Sequence, residues 1–147
     1  MHSPLVAMIL MAVAGAAIAV QAPLNSALAR SIDSWIAAAT VSFLVGTVVL
    51  LVFTALSGEM GGLLRAATVP RWLLLGGVLG AFYIWVAVTS VSVLGVLTTT
   101  TLLILGQITA SIILDSTGAF GIAPRDISLP RIIAAAMVAG GVVLSRF

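Results

Sequence analysis

Five long apolar runs constrain the fold of this chain more than any other feature. They cover approximately residues 5–28, 34–56, 72–91, 94–114 and 131–146. A helix needs about 20 largely apolar residues to cross the hydrocarbon core of a bilayer. The strands of a membrane barrel would instead appear as segments of about 10 residues with alternating polarity. The runs therefore predict an all-α integral membrane protein with five transmembrane helices per chain.

The composition excludes several other classes of protein. Hydrophobic residues make up 62% of the 147 residues and charged residues only 7%, whereas a soluble domain has about 25% charged residues. The chain has no cysteine, so it holds no disulfide and no thiolate metal site, and we predict no cofactor. The lone His2 is interpreted as solvated. The net charge of +2 comes from few ionisable groups and does not indicate a nucleic-acid partner.

The connections between the runs predict one domain covering residues 1–147. The uncharged string SVSVLG joins the third and fourth runs, so we expect a tight helical hairpin there. The longer connections, 57–71 and 115–130, end at Pro70 and Pro130, a residue tolerated at the start of a helix. No Lys or Arg precedes the first run, so we interpret it as a retained transmembrane helix and not as a secretory signal.

The distribution of arginine gives only a weak preference for one orientation. With a cytoplasmic N-terminus, Arg65, Arg71, Arg125 and Arg131 lie on the cytoplasmic side, and Arg30 and Arg146 on the other. Positive residues favour the cytoplasmic side, and four against two is a small bias. We therefore expect insertion in both orientations and a ten-helix antiparallel homodimer, related by an axis in the membrane plane. A single orientation with the N-terminus inside is the alternative.

Polar side chains recur at helical spacing inside two of the apolar runs. Gln21 and Asn25 stand at i and i+4 on the first. Gln107, Ser111 and Asp115 stand at i, i+4 and i+8 on the fourth. Because residues at this spacing share one face of a helix, each run carries one polar stripe.

Two interpretations of these stripes stay open. Unpaired amides in an apolar medium cost several kcal/mol, so the amides need partners or water. In the structural interpretation they bond each other across helices, or bond the carbonyl of Ala19, which Pro23 leaves without its usual donor. In the functional interpretation they line a cavity for a small-molecule substrate, and Pro23 is a helix break that bends the helix to open it.

Two further residues complete the predicted site. Tyr83 lies within the third run and not at its end, so it either faces the cavity and binds an organic substrate or fills the core. Asp115 is the only acid on a face with other polar residues, although the C-terminal end of a helix disfavours negative charge. It is therefore the candidate for coupling transport to an ion. The alternative for Asp115 is a solvated helix end.

The sequence also leaves two other functions open. The string TTTT together with Asn25 is compatible with a small dual-topology ion channel, in which hydroxyls and amides replace the hydration of the ion. A non-transporting partner subunit is the third possibility. An enzyme is not expected, because the apolar runs carry no Ser/His pair and no metal-ligand set.

Several strings resemble the YdcZ-like family of bacterial inner-membrane exporters, within the drug/metabolite transporter superfamily. They are GAAIAVQAPLNSAL, ATVSFLVGTVVLL, WLLLGGVLGAFYI, LGQITASIILDSTGAFG and RIIAAAMVAGGVVLS. The resemblance covers nearly the whole chain. It implies a multi-pass half-transporter of the inner membrane that pairs with a second copy to give ten helices. It also implies that the family's motif residues are Gln21, Asn25, Gln107, Ser111 and Asp115.

Overall fold

The computed structural model describes residues 3–145, and its regular elements in that range are all helical. His2 and Arg146, on which two expectations rest, lie outside the described residues. The α-helices are α1 (Pro4–Ser31), α2 (Trp35–Leu56), α3 (Met60–Arg65), α4 (Leu75–Thr117) and α5 (Leu129–Leu144). Short 3-10 helices cover Ala66–Thr68, Arg71–Leu74 and Ala119–Gly121. The all-α prediction is confirmed for this part of the chain.

Within residues 3–145, three helical segments are long and apolar enough to cross a membrane. They are Pro4–Ser31, Trp35–Leu56 and Arg71–Thr117. At 1.5 Å per residue, the 16 residues of α5 span only about 24 Å, less than the ~30 Å of the hydrocarbon core. The sequence places the helices well, since α1 and α2 differ from the predicted runs by three residues or fewer at either end.

The third and fourth predicted runs meet at a single non-helical residue inside α4. Gly95 has φ 78° and ψ 169°, a conformation that is essentially restricted to glycine. Residues 75–94 then form a segment of about 30 Å and residues 96–117 one of about 33 Å. Each segment matches the thickness of the hydrocarbon core.

Local sequence signals explain where the first two helices begin. The Ser3 hydroxyl accepts a hydrogen bond from the Val6 amide at 3.3 Å, and Pro4 follows in the first turn. Ser34 caps α2 in the same way, accepting from the Ala37 amide at 3.2 Å. Serine at this position satisfies a backbone donor that has no partner within the helix.

The chain forms two compact units, residues 1–93 and 94–147, and the prediction of one domain stays a prediction. In the first unit, small side chains from α1 and α2 pack with two residues of α4. The core consists of Ala29, Ala38, Ala39, Ile84 and Val88, with Leu28, Trp35 and Tyr83 packed against it. Without a hydrophobic drive between helices in lipid, small residues stabilise such a crossing by letting the backbones approach closely.

In the second unit, hydroxyl groups join the beginning of the 96–117 segment to the end of α5. The Thr98 hydroxyl donates to the Ser145 carbonyl at 3.0 Å, and Thr98 is buried. The Thr101 and Ser145 hydroxyl oxygens lie 3.3 Å apart. Interhelical hydrogen bonds of this type contribute about 0.6 kcal/mol each in membrane proteins.

Candidate functional site

Asn25 is the most deeply buried of the predicted site residues. It lies in the last third of α1 and is only 8% exposed, while Gln21, one turn earlier, is half-buried. Within residues 3–145 the Asn25 amide forms no hydrogen bond with a protein group. A buried amide without a partner is costly in an apolar environment, so the side chain of Asn25 needs a hydrogen-bond partner beyond those present in its own unit.

The accessible part of the Asn25 surface includes polar atoms of its side-chain amide. Among the described residues, no fully buried side-chain nitrogen or oxygen lacks a hydrogen-bond partner. Since the Asn25 amide has no partner, at least some of its polar atoms are accessible from outside the protein. A water molecule, a second protein chain or a small ligand can therefore bind them.

The neighbouring Ser26 is also a buried polar residue, but it has a hydrogen-bond partner within the protein. It is 1% exposed, and its hydroxyl accepts a hydrogen bond from the Arg30 guanidinium at 2.9 Å. The contact stabilises Ser26 and holds the arginine side chain back along α1. Sequence reasoning overlooks this residue, although serine four positions before arginine at a helix end is a detectable signal.

The helix continues through Pro23 without an interruption. Residues 4–31 are helical throughout, with Pro23 inside the helix. Proline removes one backbone hydrogen bond, and the helix continues to Ser31. An opening of the backbone at Pro23 is therefore absent from α1, and local bending of the axis there stays a prediction.

Tyr83 lies in the same unit as Asn25. It is half-buried and packs against the core cluster that contains Ile84 and Ala29. This contact agrees with the core-filling interpretation for part of its surface. Contact of its remaining surface with a substrate stays a prediction.

Gln107 and Ser111 are exposed residues of the second unit. They lie on the 96–117 segment of α4, one turn apart as predicted from the sequence. Their side chains form no hydrogen bond with the described part of the chain. Whether they complete a site with Gln21 and Asn25 stays a prediction.

Asp115 forms an ion pair that connects the end of α4 to the beginning of α5. Its Oδ2 lies 3.2 Å from Nη1 of Arg131, and each side chain is about one third exposed (33% and 32%). The Asp115 carbonyl also accepts a hydrogen bond from the Arg125 amide at 2.7 Å. Both charges occupy the unfavourable end of their helix dipole. Each charge therefore compensates the other.

Exchanging these two charges should preserve stability, whereas removing either should lower it. We expect Asp115→Asn and Arg131→Gln each to destabilise the protein by about 1 kcal/mol. The double variant Asp115→Arg/Arg131→Asp restores the pair and places both charges at favourable helix ends, so it should unfold at or above the wild-type temperature. Thermal unfolding in detergent measures this. An exchanged variant as unstable as the single ones would refute the compensation.

The run of threonines contributes to helix packing. Thr98 and Thr101 contact Ser145, and the Thr99 hydroxyl donates to the Gly95 carbonyl at 2.7 Å. No sequence signal indicates the contact with Ser145, because 47 residues separate it from Thr98. Three of the four threonine hydroxyls therefore donate hydrogen bonds within the protein, which does not favour a pore lined by the run.

An apolar groove of about 310 Å³ lies between α2 and the first segment of α4. Phe43, Thr40 and Trp85 are among its lining residues, and it contains none of the predicted site residues. The Thr40 hydroxyl donates to the Ile36 carbonyl of its own helix at 3.0 Å. The groove is thus a mainly apolar, membrane-compatible surface.

The comparison with protein families decides the assignment. Residues 6–144 match the family described as "Putative inner membrane exporter, YdcZ". The chain belongs to this family. The expected YdcZ resemblance is confirmed, and the three apolar helical segments agree with a location in the inner membrane. No curated protein and no solved structure matches the chain.

Proposed function

We propose that this YdcZ-family protein exports a small organic molecule across the bacterial inner membrane by alternating access. The observation that carries the proposal is Asn25, a buried amide in a membrane helix with no hydrogen-bond partner in residues 3–145. A substrate loses bound water when it enters a site within the membrane. The site must therefore offer polar groups that form hydrogen bonds with the substrate in place of that water. The family assignment supports export as the activity.

The substrate is neutral or weakly charged. No charged residue occurs in 4–29, 34–58, 72–114 or 132–145, so no fixed charge within the spans can pair with a strongly ionic substrate. Gln21, Asn25, Gln107 and Ser111 supply donors and acceptors for its polar groups. Tyr83 supplies an aromatic face for its apolar part.

The functional unit in this proposal is an antiparallel dual-topology homodimer. Each chain crosses the membrane five times, through α1, α2, the two segments of α4, and α5. The short α5 requires local thinning of the bilayer or contact with the second copy. Two oppositely oriented copies give ten helices, and both copies contribute polar residues to one central site.

Asp115 couples export to an ion gradient in this proposal. Its pairing with Arg131 at the α4–α5 junction gives it two states, paired with the arginine or bound to a cation. Binding of a proton or another cation at the carboxylate releases the arginine. The α4–α5 junction then changes conformation, while the substrate site closes on one side of the membrane and opens on the other.

Efflux from proteoliposomes tests the proposed function. Vesicles with the purified protein are loaded with a mixture of neutral and weakly charged organic compounds, and mass spectrometry of the outside buffer measures release. We expect saturable release of one class of compound, with no single-channel current in planar bilayers. Currents of channel size would contradict alternating access, and release equal to that from protein-free vesicles would contradict export.

A further inference from the structure

The connection between α2 and α4 contains a polar pocket separate in sequence from the proposed substrate site. The pocket has a volume of about 560 Å³ and belongs entirely to the first unit. Glu59 and Arg65 line it together with Thr54 and the backbone of Gly61 and Gly62. One acidic and one basic residue therefore line the same space.

These two charges do not neutralise each other. Within residues 3–145, the ion pair closer than 4.0 Å is the one between Asp115 and Arg131. The Arg65 guanidinium forms no hydrogen bond with the described residues. The pocket thus presents a separate negative group and a separate positive group to a ligand.

Two glycines lie beside the guanidinium of the arginine. The Arg65 side chain folds back along α3, with Nη1 3.7 Å from the point where a Cβ on Gly61 would lie and Nη2 3.7 Å from that point on Gly62. The bare backbone at both positions leaves room beside the guanidinium. The planar fork of donors is suited to a phosphate group, which it can bind in bidentate geometry.

The surroundings of the pocket place it at the surface of a membrane. It follows directly on α2, which ends at Leu56. Leu63 and Leu64 are 48% and 75% exposed, and Trp72 in the 3-10 helix Arg71–Leu74 is 53% exposed. Tryptophan and exposed leucine beside arginine are typical of segments lying at the level of lipid headgroups.

We propose that this pocket binds the headgroup of a zwitterionic phospholipid with a primary ammonium group, as in phosphatidylethanolamine. Arg65 binds the phosphate, and Glu59 accepts hydrogen bonds from the ammonium. An anionic headgroup such as that of phosphatidylglycerol offers its phosphate to Arg65 but no cation to Glu59, and a quaternary ammonium has no N–H to donate. The pocket therefore selects the primary amine. This inference is independent of the proposed export.

Native mass spectrometry of the full chain tests the selection. The protein in detergent is mixed with equal amounts of phosphatidylethanolamine, phosphatidylglycerol and phosphatidylcholine of matched acyl chains. We expect phosphatidylethanolamine to be retained about fivefold over the other two. Glu59→Gln and Arg65→Gln should each abolish the preference. Asp126→Asn and Arg125→Gln, which make the same charge changes in the other long connection, should preserve it.

Equal retention of the three lipids would overturn the proposal. So would stronger retention of phosphatidylglycerol, which would indicate a general basic surface. A preference unchanged in both pocket variants, or lost equally in the two control variants, would also exclude this pocket. Melting temperatures of all four variants establish that each is folded, as expected for substitutions of exposed residues.

Discussion

Replacing Asn25 by leucine is expected to reduce export about tenfold or more while raising the thermal stability of the protein. Asn25 is 8% exposed and its amide has no hydrogen-bond partner within residues 3–145. Leucine has the same number and branching of side-chain heavy atoms and removes a polar group without a protein partner, whose burial costs about 1–3 kcal/mol. The same substitution removes the group that binds the substrate. Efflux from proteoliposomes and thermal unfolding measure the two effects.

Ser26→Ala is the matched control for this prediction. Ser26 is the next residue and is also buried, but its hydroxyl accepts a hydrogen bond from Arg30 at 2.9 Å. Its loss should lower stability by about 1 kcal/mol and leave the substrate site chemically intact. If Asn25→Leu instead lowers stability as Ser26→Ala does and export is unchanged, Asn25 is a structural residue and the proposed site is wrong.

Replacing Gly95 by alanine is expected to destabilise the protein by about 1–3 kcal/mol. With φ 78° and ψ 169°, Gly95 has a conformation that side chains disfavour. An added Cβ would have no heavy atom within 4 Å, so the loss comes from backbone strain alone. Unfolding by a denaturing detergent, followed by circular dichroism, measures it.

Gly76→Ala separates this strain from the general effect of replacing glycine. Gly76 lies in the helical part of α4 and also has no heavy atom within 4 Å of an added Cβ. Alanine is favoured over glycine in a helix by up to about 1 kcal/mol, so this variant should be unchanged or more stable. Equal behaviour of the two variants would mean that Gly95 is not a required break.

The positions of the helices follow from the sequence because apolar length and capping residues are local signals. The run 34–56 is an example, since its first residue, Ser34, caps α2. The single-residue break at Gly95 lies in the connection expected between the third and fourth runs, although glycine alone does not indicate its φ. The short α3 escapes prediction because its sequence, MGGLLR, contains two poor helix formers.

The candidate site is predictable only as far as its local spacing. Gln21 and Asn25 share a face because they are one turn apart, and that follows from the sequence. The burial of Asn25 depends on tertiary packing, in which α2 and α4 contribute the rest of the core. The Asp115–Arg131 pair depends on the path of the chain over 15 intervening positions, which no periodicity describes.

Single-cysteine labelling tests most directly the central claim that one chain inserts in both orientations. The sequence has no cysteine, so Ser31→Cys and Ala67→Cys each give one thiol at an exposed position, at opposite ends of α2, without changing the charge bias. Intact cells are treated with a membrane-impermeant maleimide, and permeabilised cells give the total. The antiparallel homodimer predicts labelling near half at both positions. Labelling near all at one position and near none at the other would contradict it.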